Sequence, residues 1–137
     1  MSFAVFDASV AVKWLITDDA LAPAALAARA AFEAAAPALI QIEVANALWK
    51  YVRLDAVPIE EAVEGAAVLR DIMSLTEDRE LLGAAQRLAA DLGHPVYDCL
   101  YLALAQRLAS PLVTADRRLA GRSRELGIDT RFIESET

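Results

Sequence analysis

Short apolar runs alternate along the chain with longer segments in which apolar residues recur every three or four positions. The runs are rich in aromatic and β-branched residues, which is typical of buried strands. Five are predicted as strands, the second and third on weaker evidence: Ser2–Phe6, Ala38–Ile40, Met73–Leu75, Leu112–Ala115 and Thr130–Ile133. Two of them end directly at an acid, since Asp7 follows the first strand and Asp116 follows the fourth.

The segments between the strands carry helical spacing and helix-end residues. Pro37 is expected to end the second helix, Gly93 to close the fifth, and Asp98 to begin the sixth. The predicted helices are Val10–Thr17, Pro23–Ala36, Gln41–Arg53, Ile59–Ile72, Glu77–Leu92, Asp98–Leu108 and Arg117–Glu125. In the third of these, Ile42, Ala45, Leu48, Trp49 and Val52 are expected to form the apolar face.

This alternation predicts an α/β fold. We expect one three-layer α/β/α domain over residues 1–137, Rossmann-like, with a mainly parallel sheet. Ligands of such sheets bind outside the carboxyl ends of the strands, where Asp7 and Asp116 fall.

Composition narrows the class of protein. Hydrophobic residues make up 57% and charged residues 24%, which suits a packed globular core. No uncharged stretch approaches the ~20 residues of a spanning helix, so no membrane segment is expected, and no signal peptide is predicted. The single cysteine cannot form an internal disulfide, which favours a reducing, cytoplasmic setting.

The net charge of −7 argues against a nucleic-acid binder that works through a broad basic face. It does not exclude a nuclease that gathers carboxylates around cations.

Four acids stand out by position. Asp7 and Asp116 follow strands, Glu43 lies in the apolar stretch ALIQIEVANALW, and Asp98 precedes the apolar helix CLYLALA. Taken singly, a helix cap explains the three aspartates and a solvated helix edge explains Glu43. Four carboxylates at one sheet edge would repel each other unless cations intervene, and hard oxygen ligands suit Mg²⁺ or Mn²⁺.

The sequence lacks the motifs that several other classes of site require. No phosphate-binding glycine motif and no G-x-S-x-G motif occurs. With one histidine and one cysteine, paired-histidine RNA cleavage and a Cys/His zinc site are both excluded. Cys99 is expected to pack in the core.

Four segments resemble one family. They are FDASVAVKW at 6–14, IEVANALW at 42–49, GHPVYDCLYLALA at 93–105 and PLVTADRRLA at 111–120. Together, in this order, they resemble the PIN-domain ribonucleases, and within these the VapC-type toxins of bacterial toxin–antitoxin pairs. The resemblance spans nearly the whole chain.

The resemblance implies a Mg²⁺- or Mn²⁺-dependent endoribonuclease with one or two ions. Water would attack the RNA phosphate in line and leave a 5′-phosphate and a 3′-hydroxyl. Its catalytic and metal-binding acids match Asp7, Glu43, Asp98 and Asp116, and its supporting polar residues match Ser9, Asn46 and Thr114. It also implies a cognate antitoxin partner and a homodimer, which the apolar helices Ala24–Phe32 and Ile59–Leu69 favour independently.

The arginines after Asp116, first of all Arg117 and Arg118, are candidates for RNA phosphates, although a solvated helix face explains them equally well. Three alternatives stay open. A phosphoacceptor receiver domain would need a lysine after a late strand, whereas Lys13 and Lys50 are both early. A phosphohydrolase of small phosphate esters would need D-x-D where this chain has D-A-S, and the third alternative is a non-catalytic interaction module with the same fold.

Overall fold

The computed structural model describes residues 1–134. Its five strands are β1 (Phe3–Phe6), β2 (Glu33–Pro37), β3 (Ser74–Thr76), β4 (Leu112–Thr114) and β5 (Thr130–Phe132). All pair in parallel, in the order β3-β2-β1-β4-β5. The predicted α/β fold with a parallel sheet is confirmed.

Helices cover both faces of the sheet, giving the predicted three layers. They are α1 (Ala8–Leu15), α2 (Ala22–Ala31), α3 (Leu39–Arg53), α4 (Ile59–Ile72), α5 (Asp78–Leu92), α6 (Val96–Leu108) and α7 (Arg117–Glu125). No helix within the described residues combines the length and apolarity needed to cross a membrane.

The strand order places a crevice beside β1. The chain moves outward from β1 through β2 to β3, and then returns to the other side of β1 for β4 and β5. Such a reversal separates the following loops and opens a crevice at the carboxyl ends of the two strands that flank it. Phe6 pairs with Val113, so the next residues of the two strands, Asp7 and Thr114, lie side by side at that edge.

The prediction of a helix through Ala36 is wrong. The segment EAAAP at residues 33–37 is β2, and α2 ends at Ala31. Alanine has the highest helix propensity, but here its small side chain fits a central strand that helices cover on both faces. Ala34–Ala36 are accordingly buried. The strand predicted at Ala38–Ile40 is also wrong, because β2 ends at Pro37 and α3 begins at Leu39.

The core lies against α6, whose residues Cys99 to Ala105 are all buried. This confirms that Cys99 packs in the core. On the other side of β1, the ring of Phe6 meets Trp14 edge to face, with centroids 5.0 Å apart. The apolar face predicted for α3 is partly wrong. Its buried residues are Ile40, Val44 and Leu48, whereas Ile42 and Trp49 are 69% and 49% exposed.

Candidate active site

Asp7 lies at the centre of the crevice and is nearly buried. It stands at the N-cap position of α1, but its side chain makes no capping hydrogen bond. Its carboxylate instead accepts the Ser9 hydroxyl at Oδ1, at 2.7 Å, and the Thr114 hydroxyl at Oδ2, at 2.9 Å. Capping therefore does not explain Asp7. Its carboxylate faces the neighbouring strand β4.

The surroundings of Asp7 disfavour its ionised form. Burial raises the pKa of Asp7 to about 7, against the lowering effect of the two hydroxyl donors. The charges of Asp116 and Glu43 raise this pKa further, so three of the four predicted acids interact electrostatically. A buried carboxylate that lies among other carboxylates is the arrangement that a bound cation relieves.

Hydroxyl groups connect Asp7 to the end of β4. The Thr114 hydroxyl accepts the backbone N–H of Asp116 at 3.0 Å, and the Ser9 hydroxyl accepts that of Ala115 at 2.9 Å. Asp116 caps α7, because its Oδ1 accepts the N–H groups of Arg118 and Leu119. The cap expected for Asp116 is therefore real, and it fixes the carboxylate at the edge of the crevice.

Glu43 reaches the crevice from the first half of α3. Its Oε1 accepts the phenol O–H of Tyr101 at 2.5 Å, across 58 positions of sequence. The pKa of Glu43 is raised, chiefly by burial and further by the charges of Asp98 and Asp78. The hydrogen bond from Tyr101 acts in the opposite direction. Tyr101 is itself buried, and its pKa is raised by burial and then by Glu43, so it stays a neutral donor.

Asp98 lies in the first turn of α6, not at its start as predicted, because α6 begins at Val96 with Pro95 as N-cap. Its Oδ2 is 2.8 Å from Nε2 of His94, one turn earlier. The side chain of His94 is 2% exposed and that of Asp98 is 23% exposed. Asp98 is thus held on the protein side and open on the other.

The family model of the PIN domain matches residues 4–124, which include all four acids. The chain belongs to the PIN-domain family. The resemblance seen in the sequence is confirmed.

Two individual proteins are similar to this PIN-domain chain. Ribonuclease VapC3 of Pyrobaculum aerophilum is 36% identical over 85 residues, an alignment that covers 60% of this chain and 65% of that protein. The chain thus spans less than two thirds of that relative's length. The crystal structure of PAE2754, also from Pyrobaculum aerophilum, has a TM-score of 0.70 and 25% identity, covering 94% of this chain and 83% of that one.

The four acids share the crevice without forming a closed cage. No group of three His, Cys, Asp or Glu side chains within residues 1–134 is close enough to hold a metal ion as placed. One oxygen of each of the other three acids is already hydrogen-bonded: that of Glu43 to Tyr101, that of Asp98 to His94, and that of Asp116 to the backbone of α7. Each of these carboxylates keeps its second oxygen without a hydrogen bond from the described residues, so the donor set fits Mg²⁺ or Mn²⁺.

The remaining predicted site residues lie around this core. Asn46 is exposed and lines one depression with Ser9 and Glu43, without a hydrogen bond to Glu43 in the described structure. The guanidinium of Arg117 lies 5.1 Å from the centroid of the Phe132 ring, over β5, and its side chain is 82% exposed. Arg118 is also exposed, next to Asp116.

Sequence reasoning missed four residues of this region. Tyr101 and His94 hold two of the acids, Asp78 adds negative charge near Glu43, and Lys50 lines the depression that contains Ser9 and Glu43. Helical spacing is a signal for two of them, since residues three or four apart lie on one face. His94 and Tyr101 stand four positions before and three positions after Asp98.

Proposed function

We propose that the chain is a metal-dependent endoribonuclease, the toxin of a toxin–antitoxin pair, with Asp7, Glu43, Asp98 and Asp116 as its catalytic acids. The observation that supports this most is the crevice between β1 and β4. There, a nearly buried Asp7 lies within electrostatic range of Glu43 and Asp116. The similarity to a protein named Ribonuclease VapC3 supports the reaction class.

One or two Mg²⁺ or Mn²⁺ ions are the proposed cofactors, held by the four acids. When bound, such ions lower the pKa of a water and stabilise charge on the reacting phosphate. Within the chain, Ser9 and Thr114 fix both oxygens of Asp7, and the Tyr101 phenol holds one oxygen of Glu43. Because these carboxylates are already held in place, the site would need little reorganisation when a cation binds.

RNA is the proposed substrate, and exposed cations around the crevice are its proposed phosphate contacts. Arg117 and Arg118 lie on the α7 side, while Lys50 lies on the α3 side next to Glu43. Cations on both sides of an acidic centre let a strand cross it despite the net charge of −7.

RNA cleavage with metal titration tests the proposal. The protein should cut RNA with Mg²⁺ or Mn²⁺, stop in EDTA, and leave 5′-phosphate and 3′-hydroxyl ends. A folded protein that leaves RNA intact but hydrolyses a small phosphate ester is a phosphohydrolase, and one that does neither and binds no divalent ion is an interaction module. Either outcome contradicts the proposal.

An antitoxin that covers the acids is the proposed partner, and it should place an Arg or Lys among them, because a cation can replace the metal charge. The sequence offers Trp14 and Trp49 as large apolar residues for a groove that would seat this partner, but Trp14 does not line one. Trp14 is buried, with its indole N–H donated to Ala25 O at 3.0 Å. The groove instead runs between α1 and α3, lined by residues such as Val12, Ala47 and Leu54.

Co-expression with the neighbouring reading frame tests this partner. Replacing its basic residue with Ala should weaken both binding and inhibition. Unchanged inhibition would show that the partner acts by coverage alone.

A homodimer is the proposed assembly. On α4, Ile59 and Val63 are 56% and 57% exposed, and on α2, Leu26 is 37% exposed. Light scattering at micromolar concentration should give twice the mass of 14.8 kDa. A monomeric mass would contradict it.

A further inference from the structure

We infer that His94 is a positioning residue for Asp98: its Nε2–H fixes one carboxylate oxygen and leaves the other available to a divalent ion. This inference rests on the proposed function, because it assigns Asp98 to a divalent ion. The assignment comes from the 2.8 Å contact between His94 Nε2 and Asp98 Oδ2.

The backbone of His94 is held by hydrogen bonds that do not involve its side chain. Its N–H donates to Ala89 O at 3.3 Å, and its carbonyl accepts the Cys99 thiol at 3.7 Å. Gly93 precedes it with φ of +63°, a left-handed conformation that turns the chain from α5 into α6. The backbone of His94 is therefore held by residues of both α5 and α6.

The burial of the ring indicates a specific role. The side chain of His94 is 2% exposed, and its Nδ1 is the one buried side-chain polar atom of residues 1–134 without a hydrogen-bond partner. A buried polar atom without a partner costs free energy. A leucine would fill the same volume without that cost, so packing alone does not account for a histidine here.

Asp98 is the acid that needs such a partner. Asp7 receives two hydroxyl groups, Glu43 the Tyr101 phenol, and Asp116 two backbone N–H groups. Within the described residues, His94 is the side chain that holds Asp98. Partners of this kind orient the ligands of metal sites, and their loss typically costs ~10–100-fold in metal affinity or activity.

Direct Mn²⁺ binding, measured by electron paramagnetic resonance without RNA, tests the inference. His94→Leu removes the donor at similar volume, and we expect Mn²⁺ affinity to fall ~10–100-fold. His94→Gln keeps an N–H donor and should recover most of the affinity. Pro95→Ala, which alters the same turn but keeps the imidazole, is the matched control and should bind Mn²⁺ like the wild type.

Cleavage provides the second readout. His94→Leu should lose activity at limiting Mn²⁺ and regain it at saturating Mn²⁺, whereas damage to the fold would not be rescued by metal. Circular dichroism checks that each variant is folded.

A measurement on the wild type needs no variant. The chain has one histidine, so a tag-free, ¹⁵N-labelled sample gives a single imidazole spectrum. We expect an Nε2–H signal protected from exchange, which Mn²⁺ broadens and which Asp98→Asn shifts. Wild-type Mn²⁺ affinity in His94→Leu, or an Nε2 without a proton, would overturn the positioning role while leaving the proposed function intact. A wild-type protein that neither binds Mn²⁺ nor cleaves RNA would overturn both.

Discussion

Asp7→Asn should make the metal-free protein more stable, and the gain should grow with pH. The substitution keeps the size of the side chain and removes its titration. The hydroxyls of Ser9 and Thr114 can each donate or accept, so both hydrogen bonds survive with an amide in place of the carboxylate.

The raised pKa of Asp7 decides how the stability difference between the two proteins changes with pH. Burial raises the pKa of folded Asp7 to about 7, whereas in the unfolded chain it lies near ~3.9. The stabilisation that protonated Asp7 gives is complete below the unfolded pKa and is lost as pH rises through about 7. Between these values the stability of the wild type should fall, relative to the variant, by ~1.4 kcal/mol per pH unit. From pH 5 to pH 8 the difference should grow by about 2–3 kcal/mol.

Urea unfolding of both proteins in EDTA, at several pH values between 5 and 8, measures this difference. Contributions of all other groups are shared, so they cancel in the comparison. Asp129→Asn is the control. Asp129 is exposed and pairs with Arg131, which lowers its pKa, so this substitution should slightly destabilise the protein rather than stabilise it. A difference between wild type and Asp7→Asn that stays constant with pH would refute the account of a buried, destabilised carboxylate.

Three further predictions concern the groups around the acids. Tyr101→Phe removes the donor to Glu43 and should lower RNA cleavage by ~10–100-fold in a kinetic assay, with the fold retained by circular dichroism. Thr114→Val removes a donor to buried Asp7 and should cost ~1–3 kcal/mol in urea unfolding, more at pH 8 than at pH 5. Gly93→Ala places a side chain at φ of +63° and should cost ~1 kcal/mol by the same measurement.

Much of the fold could be predicted from the sequence. α4 and α7 have the predicted bounds, and Gly93 closes α5 as expected, because proline, glycine and charged end residues act locally. The strand β2 could not be predicted in this way. Its first four residues, EAAA, favour a helix by themselves, and only pairing with β1 and β3, over distances of 30 to 40 positions, makes them part of a strand.

The same limit applies to the candidate site. Asp7 and Asp116 could be predicted as neighbours because parallel strands carry their carboxyl ends to one edge. The partner of Glu43 could not be predicted, because Tyr101 is 58 positions away and its sequence context indicates only an apolar residue of α6. The contact of His94 with Asp98 is also hard to predict, because His94 precedes α6, although it stands only four positions before Asp98.

Cleavage of RNA by Asp7→Asn, beside Asp129→Asn as a control of equal charge change, tests the central claim most directly. Both variants should be folded and bind RNA, with Mg²⁺ or Mn²⁺ present in excess. We predict that Asp129→Asn cleaves like the wild type, because its carboxylate lies in an exposed ion pair with Arg131. Asp7→Asn should show no metal-dependent cleavage. Cleavage at the wild-type rate by Asp7→Asn would contradict the assignment of the crevice between β1 and β4 as the active site.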